Sequence, residues 1–366
     1  MAADAFTSCV FLQQGLVFMN KMISSTAALA IAAVLSVSAA NAREQIQVSG
    51  SSTVLPYAKI VAETFGETYP NFKTPVIESG GSGAGIKEFC KGVGENTIDI
   101  ANASRSMKST ELQSCIDAGV KDVQEVRFGY DGIVFATDAN GPDWKLAPVD
   151  LYKALAAKVI VDGKLVDNPN TKWNQVNADL PDWDIAAYIP GEKHGTREVF
   201  EEKLMADGCK ESGALEEIKK TGLDDKAAAS ACIAVRKDGK AVDIDGDYSE
   251  TLARIDSNKQ GVGVFGLYFF ENNADKLKVA TVNGVTPSAE SVASGEYPVS
   301  RPLFFYVKKA HLGVIPGLKE YVDFFLSEQM VGPDAPLAEY GLVPAPDAER
   351  EAQRASFTEG KVLAVK

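Results

Sequence analysis

Histidine is almost missing from this chain, two in 366 residues, and neither His194 nor His311 sits in the H-E-x-x-H helix that would hold a catalytic zinc. The cysteines form no C-x-x-C pair, so the usual structural zinc ligand sets have nothing to draw on. No G-x-S-x-G elbow presents a nucleophilic serine. The glycine-rich stretch GSGAG lacks the Gly-Lys-Ser/Thr ending that cradles a nucleotide. Positive charge is short as well. Lys and Arg number 37 against 50 Asp and Glu, a net charge of -13, which excludes binding of duplex or RNA through a basic face. A small anion is not excluded, because the local donors of a pocket can oppose the global field. The alternating aspartates of DIDGDY (243–248) have their glycine in the wrong place for a calcium loop and read as a solvated turn. Trp144, Trp173 and Trp183 follow no sugar-binding spacing and read as partly buried anchors. No repeat of solenoid period is present.

Long apolar runs are equally scarce, with one exception. Asn20-Lys21 is followed by STAALAIAAVLSVSAA and then Ala40-Asn41-Ala42: a positive start, an apolar core and an A-x-A signal. Residues 1–42 are therefore an upstream segment and a signal peptide cleaved after Ala42, with translation expected to begin at Met19 or Met22. The run is too short and small-sided for a membrane span. No lipobox cysteine adjoins the cleavage point, so a soluble protein exported to the periplasm is expected. The 324 residues that remain keep the net charge of -13 and suffice for two domains with hydrophobic cores.

Four cysteines stay in the mature chain, as two pairs. In an oxidising compartment the preferred pairing is local, Cys90 with Cys115 and Cys209 with Cys232, out of three possible pairings. Along the chain one device repeats. A strand at Ile46–Val48 breaks at Gly50 before a helix over 55–68; TPVIES, GGSGAG and IKEFCKG repeat it; TIDIANASRSMKSTELQSC repeats it again, with a helix start at Ser109-Thr110-Glu111. IAAYIPGEKHGTREVFEEKLM gives strand, turn and a helix over 197–205. QEVRFGYDGIVFATDA, KVIVDG, GVGVFGLYFF and PVSRPLFFYVKKA read as strands, LKEYVDFFLSEQM as an amphipathic helix, and the proline-rich tail allows a short last helix. This is α/β grammar in two lobes.

Three small-residue turns lie between a strand end and a helix start: SGSSTV (49–54), SGGSGAG (79–85) and GEKHGTR (191–197). Such turns aim unpaired backbone N–H groups and the positive end of a helix dipole at one point, and hydroxyls add donors. Ser52, Thr53, Ser82, Gly195 and Thr196 are the donors expected from them. Each turn alone is better read as a simple helix cap, and it is three of them together, with open glycine backbone, that point to an anion site. Ser104 and Arg105 follow the third strand, and Arg197 follows Thr196; a guanidinium fork matches a tetrahedral oxyanion, while a surface or interlobe ion pair is the competing role. Arg301 is a weaker third candidate. Asp131, inside an apolar run, is suited to orient an arginine or to accept the proton of a protonated oxyanion, or is a turn residue bonded to its own backbone. His194 is placed for general-base work but has no nucleophile in view.

Taken together, SGSSTVLP, SGGSGAGIKEF, DIANASR, YDGIVFA, HGTREVF and YPVSRPLFFYVKK, in this order, resemble the periplasmic phosphate-binding protein of the high-affinity phosphate ABC transporter. The resemblance implies an α/β, two-lobe periplasmic-binding-protein fold (venus flytrap, type II). Residues 43–138 plus 279–366 would form lobe I and 139–278 lobe II. It also implies a monomer without cofactor or metal that closes on inorganic phosphate and delivers it to a membrane permease. Carried over by position, Thr53 and the backbone at Val54, Ser82, Gly195 and Thr196 hold the ligand. Three family positions differ: Ser104 stands where an acceptor aspartate is usual, the usual arginine falls near Pro190, and His194 stands in place of a serine. Arg105, Arg197 and Asp131 are the expected substitutes. Another tetrahedral oxyanion, a secreted phosphatase using His194, and a surface protein without ligand remain the alternatives.

Overall fold

The computed structural model describes residues 43–192 and 195–365. The predicted signal peptide, Lys193 and His194 lie outside the described residues. The first three strand–turn–helix units form as expected: β1 (Gln47–Gly50), α1 (Leu55–Thr68), β2 (Val76–Ser79), α2 (Ser82–Phe89), β3 (Ile100–Ala103) and α3 (Ser109–Asp117). Helix α2 starts four residues before IKEF, taking in the serine and glycines that the pattern assigned to a turn. Gly85 explains why they are small. A Cβ there would lie 2.4 Å from Gly50 Cα, so α2 packs directly on the backbone of β1.

VQEVRFGYDGIVFATD is one 16-residue strand, β4 (Val123–Asp138), buried almost throughout. It serves two sets of neighbours. Its first two thirds pair antiparallel with the strand Ser300–Lys308, which pairs in turn with β3; its last residues pair antiparallel with Val262–Gly266 and Leu277–Val279. The resulting nine-stranded sheet runs β2, β1, β3, Ser300–Lys308, β4, Val262–Gly266, Ala187–Pro190, Ala241–Ile244, with Leu277–Val279 as a ninth strand on the end of β4. Double coverage explains why β4 and its partner read as continuous apolar runs rather than alternating ones.

Side chains of Ser300–Lys308 divide by period two. Phe305 and Val307 join Phe128 and Val126 against α1 and the helix Leu318–Phe325. Phe304 and Tyr306 face α2 and α3 with Phe89, Ala101 and Leu112. A separate cluster built on the far end of β4 gathers Phe135, Trp144, Trp173, Phe200 and Phe265. The three tryptophans do meet, Trp144 in edge contact with Trp173 at 5.1 Å. Two expectations shift. GVGVFGLYFF is strand only to Gly266 and helix from Leu267 to Glu271. The helix expected from Arg197 begins at Gly195, two residues early, and passes through a π-helical stretch, Phe200–Met205. Cys90–Cys115 and Cys209–Cys232 are bonded, as the local pairing anticipates.

Candidate functional site

Strand register makes the centre of the site. Arg301 lies directly opposite Asp131 in the antiparallel ladder between Ser300–Lys308 and β4. Both side chains are buried, 3% and 1% exposed. Arg301 Nε stands 3.9 Å from Asp131 Oδ2, too far for a hydrogen bond, and neither atom has a hydrogen-bond partner among the described residues. Burial raises the Asp131 carboxyl to about 6, with Arg301 opposing the shift and Glu198 adding to it. The other guanidinium nitrogens of Arg301 are engaged. One donates to Thr53 Oγ1 and to Glu198 Oε2 at 3.3 Å, the other to Glu202 Oε2 at 2.8 Å.

Thr53 reaches this point from the turn before α1 and is buried. Ser51, which sequence reasoning passed over, shapes that turn: its Oγ accepts from the backbone N–H of Thr53 and of Val54, at 3.2 and 3.4 Å. Ser52 is exposed and donates to Glu198 Oε2 at 3.0 Å. Ser82 and Ser104 tie the second and third turns together, Oγ to Oγ at 3.2 Å, with Ser104 N–H donating to Ser82 Oγ at 3.1 Å. Thr196 receives a hydrogen bond from Tyr248 Oη at 3.3 Å. Gly195 opens the helix beside it. A cavity of about 480 Å³ is lined by Thr53, Asp131, Thr196, Tyr57, Tyr248 and Tyr340 among others.

The two arginines singled out from the sequence are held differently. Arg105 makes a bidentate pair with Glu111, at 2.9 and 2.8 Å, which raises its own pKa and lowers that of Glu111. Arg197 is buried and donates to Glu201 at 2.7 Å, Asp243 at 2.5 Å and the Pro190 carbonyl at 2.8 Å, tying its helix to the ends of Ala187–Pro190 and Ala241–Ile244. The structure brings Arg301, the weakest of the three on sequence grounds, to Thr53 and Asp131. Glu198 and Glu202 were missed altogether. Their spacing of four in GTREVFEE puts both on one helix face, and that was the available signal. Among the described residues no group of three or more His, Cys, Asp or Glu is placed to hold a metal ion, and no helix is long and apolar enough to cross a membrane.

Comparison with known proteins places this arrangement. Residues 36–329 match the PBP superfamily domain. The chain belongs to the PBP superfamily. It is 30% identical over 330 residues to Protein SphX of Synechococcus elongatus, covering 87% of this chain and 83% of that protein. It is 30% identical over 287 residues to the Phosphate-binding protein PstS of Staphylococcus haemolyticus, covering 76% of each. Among solved structures it is similar to a possible phosphate binding protein from Planctomyces limnophilus, with TM-score 0.66, 26% identity and coverage of 87% of this chain and 98% of that one. PstS from Borrelia burgdorferi, at TM-score 0.55 and 19% identity, shares the fold. The α/β architecture is thus the two-lobe periplasmic-binding-protein fold, with the sheet crossing from one core cluster to the next along β4.

Proposed function

We propose that this protein is an extracytoplasmic receptor that captures inorganic phosphate and hands it to an ABC permease, without chemistry on the ligand. One observation supports this reading above the others: Arg301 Nε and Asp131 Oδ2 are buried, face each other across 3.9 Å and lack hydrogen-bond partners among the described residues. A buried donor and a buried acceptor left unmade side by side are costly, and a ligand oxygen that both accepts and donates satisfies the pair. Hydrogenphosphate has such oxygens. Sulfate has acceptors only. Thr53, Ser52, the backbone at Val54, Ser82, Ser104, His194, Gly195 and Thr196 complete the proposed ligand set. Arg105 and Arg197 hold the framework through their carboxylate pairs. Lobe I is assigned residues 43–138 plus 279–366 and lobe II residues 139–278, so the ligand would bridge the loop at Thr53 and the helix at Gly195. The relatives named as phosphate-binding proteins support the same ligand.

The test is isothermal titration of protein stripped of anion by unfolding and refolding. One-to-one phosphate binding with sulfate excluded is the expected result, and D131N should narrow the gap between the two anions. Equal binding of sulfate by the wild-type protein, or turnover of a phosphomonoester abolished by a His194 substitution, would overturn the reading.

A further inference from the structure

The helix that opens at Gly195 projects Glu198 and Glu202 from one face, four residues apart. Three donors from elsewhere in the chain converge on a single oxygen, Glu198 Oε2: Ser52 Oγ at 3.0 Å, Thr53 Oγ1 at 2.5 Å and an Arg301 guanidinium nitrogen at 3.3 Å. Glu202 takes the other terminal nitrogen of Arg301 at 2.8 Å. Thr53 and Arg301 are among the donors that the phosphate reading assigns to the ligand. The chain's own carboxylate therefore holds them in a geometry an oxyanion would need.

The two anions cannot share these donors. A threonine hydroxyl has one proton to give, and two anions within a few ångströms of one guanidinium repel each other strongly at the low effective dielectric of a buried site. Asp131, Glu198 and Glu202 already surround Arg301 with three carboxylates. Burial raises the pKa of Glu202, with Arg301 opposing the shift and Glu198 adding to it. A dianion that is to take the Thr53 and Arg301 donors competes with Glu198 for them.

We propose that Glu198 is an affinity-setting residue, a resident anion whose carboxylate phosphate must displace from Ser52, Thr53 and Arg301 in order to bind. The inference rests on the phosphate reading and deepens it. In the lobe assignment given above, the Glu198 contacts cross the cleft, so the cleft has two closed forms, one held by Glu198 and one by phosphate. The intrinsic affinity of the donors is then reduced by the fraction of molecules in which they are exposed to ligand.

The experiment compares wild type with E198Q and E198A by titration with inorganic phosphate, after far-ultraviolet circular dichroism has shown all three folded. If Glu198 holds the donors in nine molecules out of ten, removing its charge strengthens phosphate binding by about tenfold. Small-angle scattering supplies the second readout. Wild type should keep nearly the same radius of gyration when phosphate is added, whereas E198A should contract. Weaker phosphate binding by both variants would overturn the inference and make Glu198 a ligand contact. An unchanged dissociation constant would overturn it too, by separating Glu198 from the anion site. Absence of phosphate binding in wild type and both variants would instead sink the phosphate reading on which it stands.

Discussion

Asp131 and Arg301 show how one residue pair is decided by its surroundings. A carboxylate in an apolar strand is disfavoured in its charged form, and burial lifts Asp131 to about 6. The sign of the pH dependence follows. The folded protein holds this proton up to about pH 6, whereas the unfolded chain releases it near the ordinary aspartate value. The associated stability is complete below the unfolded pKa and is lost as pH rises through 6. Between pH 4 and pH 7 the loss is on the order of 2–3 kcal/mol. D131N should flatten that part of the curve, which urea titrations of anion-free protein at several pH values would show. At the same pair R301K keeps the charge but loses the planar fork, and we expect phosphate affinity to drop by about 10- to 1,000-fold. Titration calorimetry reads that directly, and wild-type affinity in R301K would remove Arg301 from the ligand set.

At the scale of elements, the close approach of α2 to β1 is the sharpest constraint. Gly85 faces Gly50 Cα at 2.4 Å and the Ser49 carbonyl at 2.8 Å once a Cβ is added, and backbone cannot yield as a flexible side chain can. G85A should cost about 1–3 kcal/mol through overpacking. It should also displace Ser82, which holds Ser104. A lowered urea midpoint together with weaker phosphate binding is the expected outcome; a lowered midpoint with unchanged affinity would separate this packing from the site. The element pattern was largely readable in the sequence, because strand, small-residue turn and helix alternate with clean changes of period. The misread pieces are instructive. LYFF in GVGVFGLYFF is apolar enough for a strand, and only packing against β4 and the strand Val262–Gly266 makes it a helix. Short apolar runs carry no period long enough to tell the two apart.

At the scale of the molecule, two disulfides lie in different core regions. Cys90 and Cys115 belong to the cluster around α2 and α3, Cys209 and Cys232 to the cluster around Trp173 and Phe200. Each closes a loop of similar length, with separations of 25 and 23 residues. Loss of either should therefore cost a similar amount, about 2–4 kcal/mol. Cys90→Ser with Cys115→Ser, and separately Cys209→Ser with Cys232→Ser, tested by urea titration, would show comparable losses. A loss in only one pair would mean that the other region is stabilised by packing alone.

What the sequence determined by itself is local. Turn chemistry, helix and strand periods, the pairing of nearby cysteines and the order of the small-residue loops are written within stretches of a few to about 25 residues, where chain connectivity alone limits what can meet. The proposed ligand set was suggested to the same extent, as loops and hydroxyls: Thr53, Ser82 and Thr196 lie where a turn opens onto a helix, and Ser104 follows the third strand. Asp131 and Arg301 were candidates, but which charges meet was not legible. Arg301 is 170 residues from Asp131, and Glu198 is 145 from Thr53. Register between two long strands puts the first two opposite each other, and the helix at Gly195 brings the third across. Such meetings depend on which strand pairs with which, and that choice is made by burial of the whole sheet rather than by any segment of it.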